Sequence, residues 1–336
     1  MSRAGALGSL DVSVRTDWKI AVVVPCYRAR GQVLDVLARI GPECAAVYVV
    51  DDACPDGSGK HVQEHCRDAR VRVLFHRENQ GVGAATLSGY RAALADGAEV
   101  LVKLDADGQM DPALIPALVA PILVGEADYA KGNRFFDLEG LGSMPAVRLL
   151  GNSALSFLNK LSSGYWDVFD PTNGFTALHG AVARRLPLDK LARRYFFESD
   201  LLFRLGTLRA VVTDVPMPAR YGAEKSGLSV KSALFEFAWK HLVNTVKRVF
   251  YGYYLRDFNF ASLELVLGLL LVAGGSCFGL LQWRASSGSG VATNAGTVML
   301  AALPVLLGVQ LVLGFLAHDM HSAPRQVIHR RLGPPR

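Results

Sequence analysis

The sequence predicts an α/β domain built on a mostly parallel sheet, followed by an amphipathic helix and a hairpin of two membrane-length helices. Three observations carry this. Short apolar, β-branched runs alternate with helical patterns from Ile20 to Val102. Two acidic pairs, Asp51-Asp52 and Asp105/Asp107, follow such runs closely, where the strands of a parallel sheet end and ligands gather. The last third of the chain holds two apolar stretches of about 20 residues each.

Residues 1–17 read as a flexible leader, polar and without the basic-then-apolar pattern of a signal peptide. Ile20–Pro25 is a first buried strand, and Val33, Leu34, Leu37 and Ile40 mark a helix. A second strand, Val47–Val50, runs into Asp51-Asp52. A helix over 58–66, a strand Val71–Phe75 and a helix over 82–95 lead to the run Ala98–Val102. Past Pro112 the pattern predicts a helix to about Leu123, a strand near Tyr129 and a loop-rich stretch to about Gly180. Helix Arg194–Leu208 and strand Ala210–Val215 complete the globular part, residues 18–230.

Residues 231–256 form an amphipathic helix by their 3.6-residue spacing. Phe235, Ala238, Leu242, Val246, Val249 and Tyr253 share one face, opposite Glu236, Lys240 and Lys247. With Trp239 and three nearby tyrosines this suits a helix lying in the membrane interface, though packing on the catalytic domain would use the same face. The spans 263–283 and 297–317, joined by a short Gly/Ser-rich link, form a hairpin over 263–317 that serves as an anchor and as a contact between copies of the chain. Lys240, Lys247, Arg248 and Arg256 precede the first span, and Arg325, Arg330, Arg331 and Arg336 lie in the basic tail 318–336, whereas the link holds only Arg284. The positive-inside rule then puts both termini and the globular domain on the cytoplasmic side of the cell membrane.

Composition narrows the class. The chain is 51% hydrophobic with a net charge of +6, and its basic residues cluster beside apolar segments instead of forming one tract. That favours a lipid surface over nucleic acid, which is not expected as a partner. The cysteines at 26, 44, 54, 66 and 277 include no close pair of metal-ligand spacing and read as reduced thiols. Arg193 and Arg194 read as a solvated face, and His179 and His241 as structural or surface residues.

The segment Lys103-Leu104-Asp105-Ala106-Asp107-Gly108-Gln109 is the most telling. Two carboxylates one residue apart at a strand end can turn onto one divalent cation, which prefers oxygen ligands and phosphate co-ligands. An acidic turn would also use these residue types.

In order along the chain stand VVVPCY, VVDDACPDGSG, ENQGVGAATLSGY, KLDADGQMDP, GNRF, DPTNGF and RYGAEKSGLS. Together they resemble the family 2 glycosyltransferases, and within them the polyprenyl-phosphate branch of dolichyl-phosphate mannose synthase-like enzymes. The resemblance covers roughly residues 18–230 and implies a GT-A-like catalytic domain. It implies that Asp107 and Gln109 hold Mg²⁺ or Mn²⁺, with Asp105 on metal or sugar. Pro25, Tyr27, Asp52, Gly83 and Asp105 would form the donor nucleotide site, an aromatic ring against the base and a carboxylate on base or ribose, with a helix-capping or turn role as the alternative for Asp52. Gly83 belongs to a loop that resembles a phosphate cradle, although its glycines would equally serve close packing. Where the family usually carries PxYNE this chain has Pro25-Cys26-Tyr27-Arg28-Ala29, which leaves uridine and guanosine both open.

Arg134, Arg148 and Arg220 match basic positions around an acceptor phosphate in that branch, for which the arginine fork is suited, and Lys225 and Ser226 would also reach a phosphate; ordinary surface arginines are the alternative. Glu198 sits where relatives acting on hydroxyl acceptors keep a base, and here serves either that role or a positioning one. Asp170 with Thr172, Asn173 and Gly174 lines a pocket or forms a structural turn. The catalytic set is thus Asp105, Asp107, Arg134, Arg220 and Glu198. The expected activity is transfer of a sugar, with inversion, from a nucleotide-diphospho-sugar (UDP- or GDP-sugar) to polyprenyl phosphate, feeding cell-envelope glycan synthesis. The rivals are a family 2 transferase acting on a lipid or glycan hydroxyl, and a catalytically silent membrane scaffold.

Overall fold

The structure, a computed structural model, describes residues 17–135, 146–218 and 230–332, without the side chains of 146–150, 152 and 230–234. Seven strands form one sheet in the order β3-β2-β1-β4-β6-β5-β7. They are β1 (Ile20–Cys26), β2 (Cys44–Asp51), β3 (Val71–Phe75), β4 (Val100–Lys103), β5 (Tyr129–Asn133), β6 (Thr176–His179) and β7 (Val212–Pro216). The first four are mutually parallel, β6 runs antiparallel to β4 and β5, and β7 is parallel to β5.

This topology concentrates three sequence segments at one edge. β1 has β2 on one side and β4 on the other, so the order reverses there and a crevice opens at the carboxyl ends of β1 and β4. Because Lys103 pairs with Thr176, the turn entering β6 meets the end of β4. The carboxyl ends of β5 and β7 point the same way.

The apolar runs follow from burial on both faces. Val22, Val24, Val47, Val49 and Val102 pack against α1 (Val33–Ala38) and α4 (Ile115–Leu123). Ala21, Val23, Tyr48, Val50 and Leu101 face α3 (Val82–Ala95) and the residues of a later helix, Phe197–Leu208. Ile115, Leu118, Val119 and Ile122 of α4 are all fully buried, each side chain contributing about 1.5–3 kcal/mol. The short α2 (Ser58–His65) begins beside Asp51, whose carboxylate accepts from Cys54 N and Gly59 N, both at 2.7 Å.

Among its described residues, the stretch expected to be loop-rich holds α5 (Ala146–Ser163) and β6, and the single turn α6 (Gly180–Ala183) follows it. Helix α7 starts at Phe197 and not at Arg194. Besides its half-buried apolar residues Leu155, Leu158 and Leu161, helix α5 buries the polar Asn159, Ser162 and Ser163 where it packs on α7 and on α8 (Val230–Phe250). There Ser162 Oγ lies 2.8 Å from His241 Nδ1, Arg248 Nε donates to Leu161 O at 3.0 Å, and Asn244 Nδ2 donates to Asp200 of α7 at 3.3 Å. Helix α8 therefore presents a buried polar face to the domain, while Phe235, Trp239, Leu242, Val246 and Phe250 form an exposed apolar stripe. Tyr253, expected on that stripe, is buried.

After a π-helical turn (Tyr251–Arg256), α9 (Phe260–Ser289) and α10 (Ala295–His321) form the hairpin, each long and apolar enough to cross a membrane. Both exceed the expected spans, since the Gly/Ser segment continues α9 until Gly290 ends it at φ +67°. Gly268 and Gly308 let the helix backbones approach: a Cβ on either would stand 2.9 or 2.6 Å from the other's carbonyl oxygen. At the base, Asp319 is buried and accepts from Arg248 at 2.7 and 2.9 Å, Tyr253 at 2.7 Å and Trp166 at 3.0 Å.

The residues after α10 return to the sheet. Fully buried Asp128, just before β5, accepts from Ile328 N, His329 N and Val211 N at 2.8–3.1 Å, and His329 Nδ1 lies 2.7 Å from it. His329 stacks on His179, ring centroids 4.3 Å apart, and Ile328 and Leu332 join the core beside α7. Burial opposes ionisation of Asp128, but these hydrogen bonds hold its pKa below the ordinary carboxylate value.

Candidate active site

The carboxyl ends of β1, β2 and β4 open into a cleft of about 450 Å³. Pro25 and Tyr27 follow from β1, Asp52 from β2, and Asp105 and Asp107 from β4; all line it. The ring of Tyr27 is exposed there, with the Arg28 guanidinium 5.5 Å from its centroid. Ala29, in place of the family's acidic residue, is buried and donates its N–H to Ser58 Oγ at 3.1 Å.

Asp52 lines the cleft and also organises its wall. The carboxylate accepts from Gln80 N at 2.9 Å and Gly81 N at 2.7 Å, and lies 2.7 Å from His76 Nδ1. It thereby fixes the loop that starts α3. Gly83 does not line the cleft. A Cβ there would stand 2.5 Å from Ala192 O and 2.8 Å from Phe197 Cβ, so this glycine lets α3 pack on the segment before α7. That packing brings Arg194 and Tyr195 into the cleft wall, where a solvated face was expected for Arg194. No local signal in the sequence marks them, since only the docking of 192–197 onto α3 carries them there.

Beneath the paired carboxylates lies a buried ion cluster. Lys103 ends β4 with its amine completely enclosed, 2.7 Å from Asp105 Oδ1 and 3.2 Å from Glu198 Oε1. Burial alone would depress the lysine pKa, but the two carboxylates more than offset this and hold it above the ordinary value. Gly174 closes the cluster from above: a Cβ there would fall on Lys103 Nζ and stand 2.6 Å from Asp105 Oδ2. Glu198 is thus tied through Lys103 to Asp105 and does not line the cleft itself. Gly108, at φ +74°, turns the loop so that Gln109 N donates to Asp107 Oδ1 at 2.9 Å.

Arg134 leaves β5 at the same edge, and its guanidinium grips fully buried Asp170 at 2.8 and 3.1 Å. Nearby Lys131 is fully enclosed and donates to Asn173 O; burial pushes its pKa down to about 8, against the pull of Asp170, Glu198 and Asp214. Asp214 shifts the other way, raised by burial. Asn173 ties the turn to β5, donating to Gly132 O at 2.7 Å. The Arg148 side chain, Arg220, Lys225 and Ser226 lie outside the described residues.

The donor set fits a hard divalent cation. Asp105 and Asp107 offer carboxylate oxygens to one cleft, and Mg²⁺ characteristically takes one or two carboxylates plus substrate phosphates. Among the described residues no cluster of three or more His, Cys, Asp or Glu offers an all-protein cage.

A nucleotide-sized crevice at a topological switch point, with paired carboxylates in it, defines a transferase of the GT-A-like class. The model of the family described as "Glycosyl transferase family 2" matches residues 21–190, half of the 336-residue chain, and the protein belongs to that family. It is a glycosyltransferase with relatives that act on polyprenyl phosphates. One is the polyprenol monophosphomannose synthase of Mycolicibacterium smegmatis, 29% identical over 70% of this chain and 92% of the relative. Another is the undecaprenyl-phosphate mannosyltransferase of Micrococcus luteus, 30% identical over 59% of this chain and 82% of the relative. Among solved structures, glucosyl-3-phosphoglycerate synthase of Mycobacterium tuberculosis in complex with Mn²⁺, uridine diphosphate and phosphoglyceric acid superposes with a TM-score of 0.52. It is 18% identical, over 70% of this chain and 80% of that one, a likeness of fold.

Proposed function

We propose that the protein transfers a sugar from a UDP- or GDP-sugar to polyprenyl phosphate, with inversion, at the cytoplasmic face of a membrane that its hairpin spans. The observation that carries this reading is the single cleft shared by Tyr27, Asp52, Asp105 and Asp107, in a chain whose relatives are polyprenyl-phosphate sugar transferases.

Tyr27 offers an aromatic face to the base, and Asp52 keeps the loop Gln80–Gly81 in place beside the nucleotide. Asp105 and Asp107, with Gln109, would hold Mg²⁺ or Mn²⁺, which supplies charge stabilisation to the departing diphosphate. Arg194 adds a cationic wall to the same cleft. Arg134, with Arg148, Arg220, Lys225 and Ser226, holds the acceptor phosphate. A phosphate oxygen attacks the anomeric carbon as the bond to the diphosphate oxygen breaks, and the nucleoside diphosphate leaves with that electron pair. The acceptor is already an anion, so no base need take a proton. The exposed stripe of α8 lies in the interface and brings the lipid head to the site.

Glu198 favours this acceptor over a hydroxyl. A hydroxyl acceptor needs a free base, whereas Glu198 is engaged by the enclosed Lys103 and holds Asp105 in position.

The test is a transfer assay on detergent-purified protein with radiolabelled UDP- and GDP-sugars, short polyprenyl phosphate and Mg²⁺ or Mn²⁺, beside an Asp107→Ala control. Metal-dependent label in the lipid phase, lost in the variant, is the expected result. Nucleotide binding without transfer would shift the reading to a hydroxyl acceptor. Absence of both would leave a silent scaffold.

A further inference from the structure

A second cavity, of about 80 Å³, lies at the base of the hairpin, lined by Arg209, Arg248, Arg256, Asp257 and His318 among others. With Arg248 neutralised by Asp319, two arginines against one aspartate leave a formal charge of +1 before His318 is counted. Arg209 and Arg256 are exposed, and each spends one donor on a backbone carbonyl, Ser322 O and Thr207 O respectively. A guanidinium has five N–H donors, so both keep most of their capacity for an anion. Asp257 is a weak competitor, 4.0 Å from Arg209.

The position is as informative as the charge. The cavity sits where the π-helical turn enters α9 and α10 ends, beside exposed Leu255, Phe258 and Phe260. A cationic hollow bordered by exposed apolar side chains at a hairpin base matches an amphiphile with an anionic head. Arg209 precedes β7, at the amino end of that strand, whereas Asp105 and Asp107 follow the carboxyl end of β4. The cavity is therefore at the opposite edge of the sheet from the catalytic cleft and does not take the transferring acceptor.

We propose that this cavity binds the phosphate headgroup of an anionic membrane phospholipid, with Arg209 and Arg256 as its ligands. The inference rests on the hairpin's spanning a bilayer. An anionic lipid held there would seat the catalytic domain at a fixed height, independent of the substrates.

The full-length protein is reconstituted into vesicles of phosphatidylcholine alone and, after extraction, offered phosphatidylglycerol against phosphatidylcholine with bound lipids read by native mass spectrometry. Preferential retention of phosphatidylglycerol is expected, falling on the order of fivefold for each of Arg209→Gln and Arg256→Gln and restored by Arg256→Lys. Unchanged melting temperatures separate this from misfolding, and a variant that unfolds is replaced by its Met counterpart, which keeps the apolar stem and removes the charge. Undiminished preference in both Gln variants overturns the proposal, as does displacement of the lipid by millimolar inorganic phosphate. Failure to insert even into phosphatidylcholine vesicles would instead overturn the membrane reading.

Discussion

Glu198 Oε1 stands 3.2 Å from the amine of Lys103, a lysine whose other partner is Asp105 at the mouth of the cleft. Removing the cation leaves two carboxylates without their shared counter-ion, one of them, Glu198, almost enclosed. Lys103→Met is expected to cost about 3–5 kcal/mol. Adding Glu198→Gln to that variant should recover part of the loss, because one unpaired charge goes with it. Thermal unfolding of the four proteins in one detergent checks this; additive losses would mean that the cluster is not coupled.

Gly174 is the lid of that cluster. Its Cβ would fall on Lys103 Nζ and beside Asp105 Oδ2, so Gly174→Ala must displace a group that the chemistry needs in place. A fall in transfer rate on the order of 100-fold is expected. Gly31→Ala, where nothing lies within 4 Å of the added carbon, serves as the neutral comparison. Steady-state kinetics of the two variants side by side decide the matter.

Acid should loosen the domain before it denatures it. Burial pushes His179 down to about 4, helped by His329, and burial does the same to His241. Unfolded histidines take up a proton near pH 6.5, while the folded ones resist it until about 4. The unfolded state therefore binds more protons across that window, and stability falls as pH drops through it, by on the order of 1–3 kcal/mol per group. Asp128 acts lower still: its folded pKa is depressed below 3.8, so its contribution is present above that value and lost beneath it. Melting temperatures from pH 7 to 4 should decline, and His179→Phe should flatten the slope.

Asp319 joins hairpin and catalytic domain by accepting from Arg248, Tyr253 and Trp166. Asp319→Ala strands the partly enclosed Arg248 and should cost about 3–5 kcal/mol. The contact between α8 and α10 should open with it. Limited proteolysis in detergent would report faster cleavage between Tyr251 and Arg256; an unchanged pattern would mean that the hairpin is held elsewhere.

The sequence carried the parallel half of the sheet plainly, because strands buried on both faces read as unbroken runs such as Ile20–Val24 and Val47–Val50. It also carried Asp105 and Asp107, which alone would read equally as an acidic turn and stand out only beside the other six segments of the resemblance. Helix α5 was legible only as an apolar helix after Arg148. That its polar Asn159, Ser162 and Ser163 would be buried was not, because hydrophobic periodicity does not mark polar residues packed against other helices, as Ser162 is against His241 of α8. Arg194 and Tyr195 reach the cleft only through the close approach that Gly83 allows. Asp52 reads as a nucleotide contact on the strength of the family resemblance, with a helix-capping or turn role as the alternative; the loop 76–81 does claim its oxygens, through contacts too distant in sequence to be read from it.

The return of the chain to Asp128 has a bearing on how the molecule is made. Ile328 lies 200 residues downstream of the carboxylate it caps, and the whole hairpin intervenes. While the ribosome delivers α9 and α10, the amino end of β5 holds a buried acid still short of its partners, and the core beside α7 lacks Ile328 and Leu332. Translation must pass Leu332 before that edge is sealed. With the hairpin in a bilayer, the capping of Asp128 can only follow the synthesis of both membrane-length helices, so the last contact of the catalytic domain is made after its anchor.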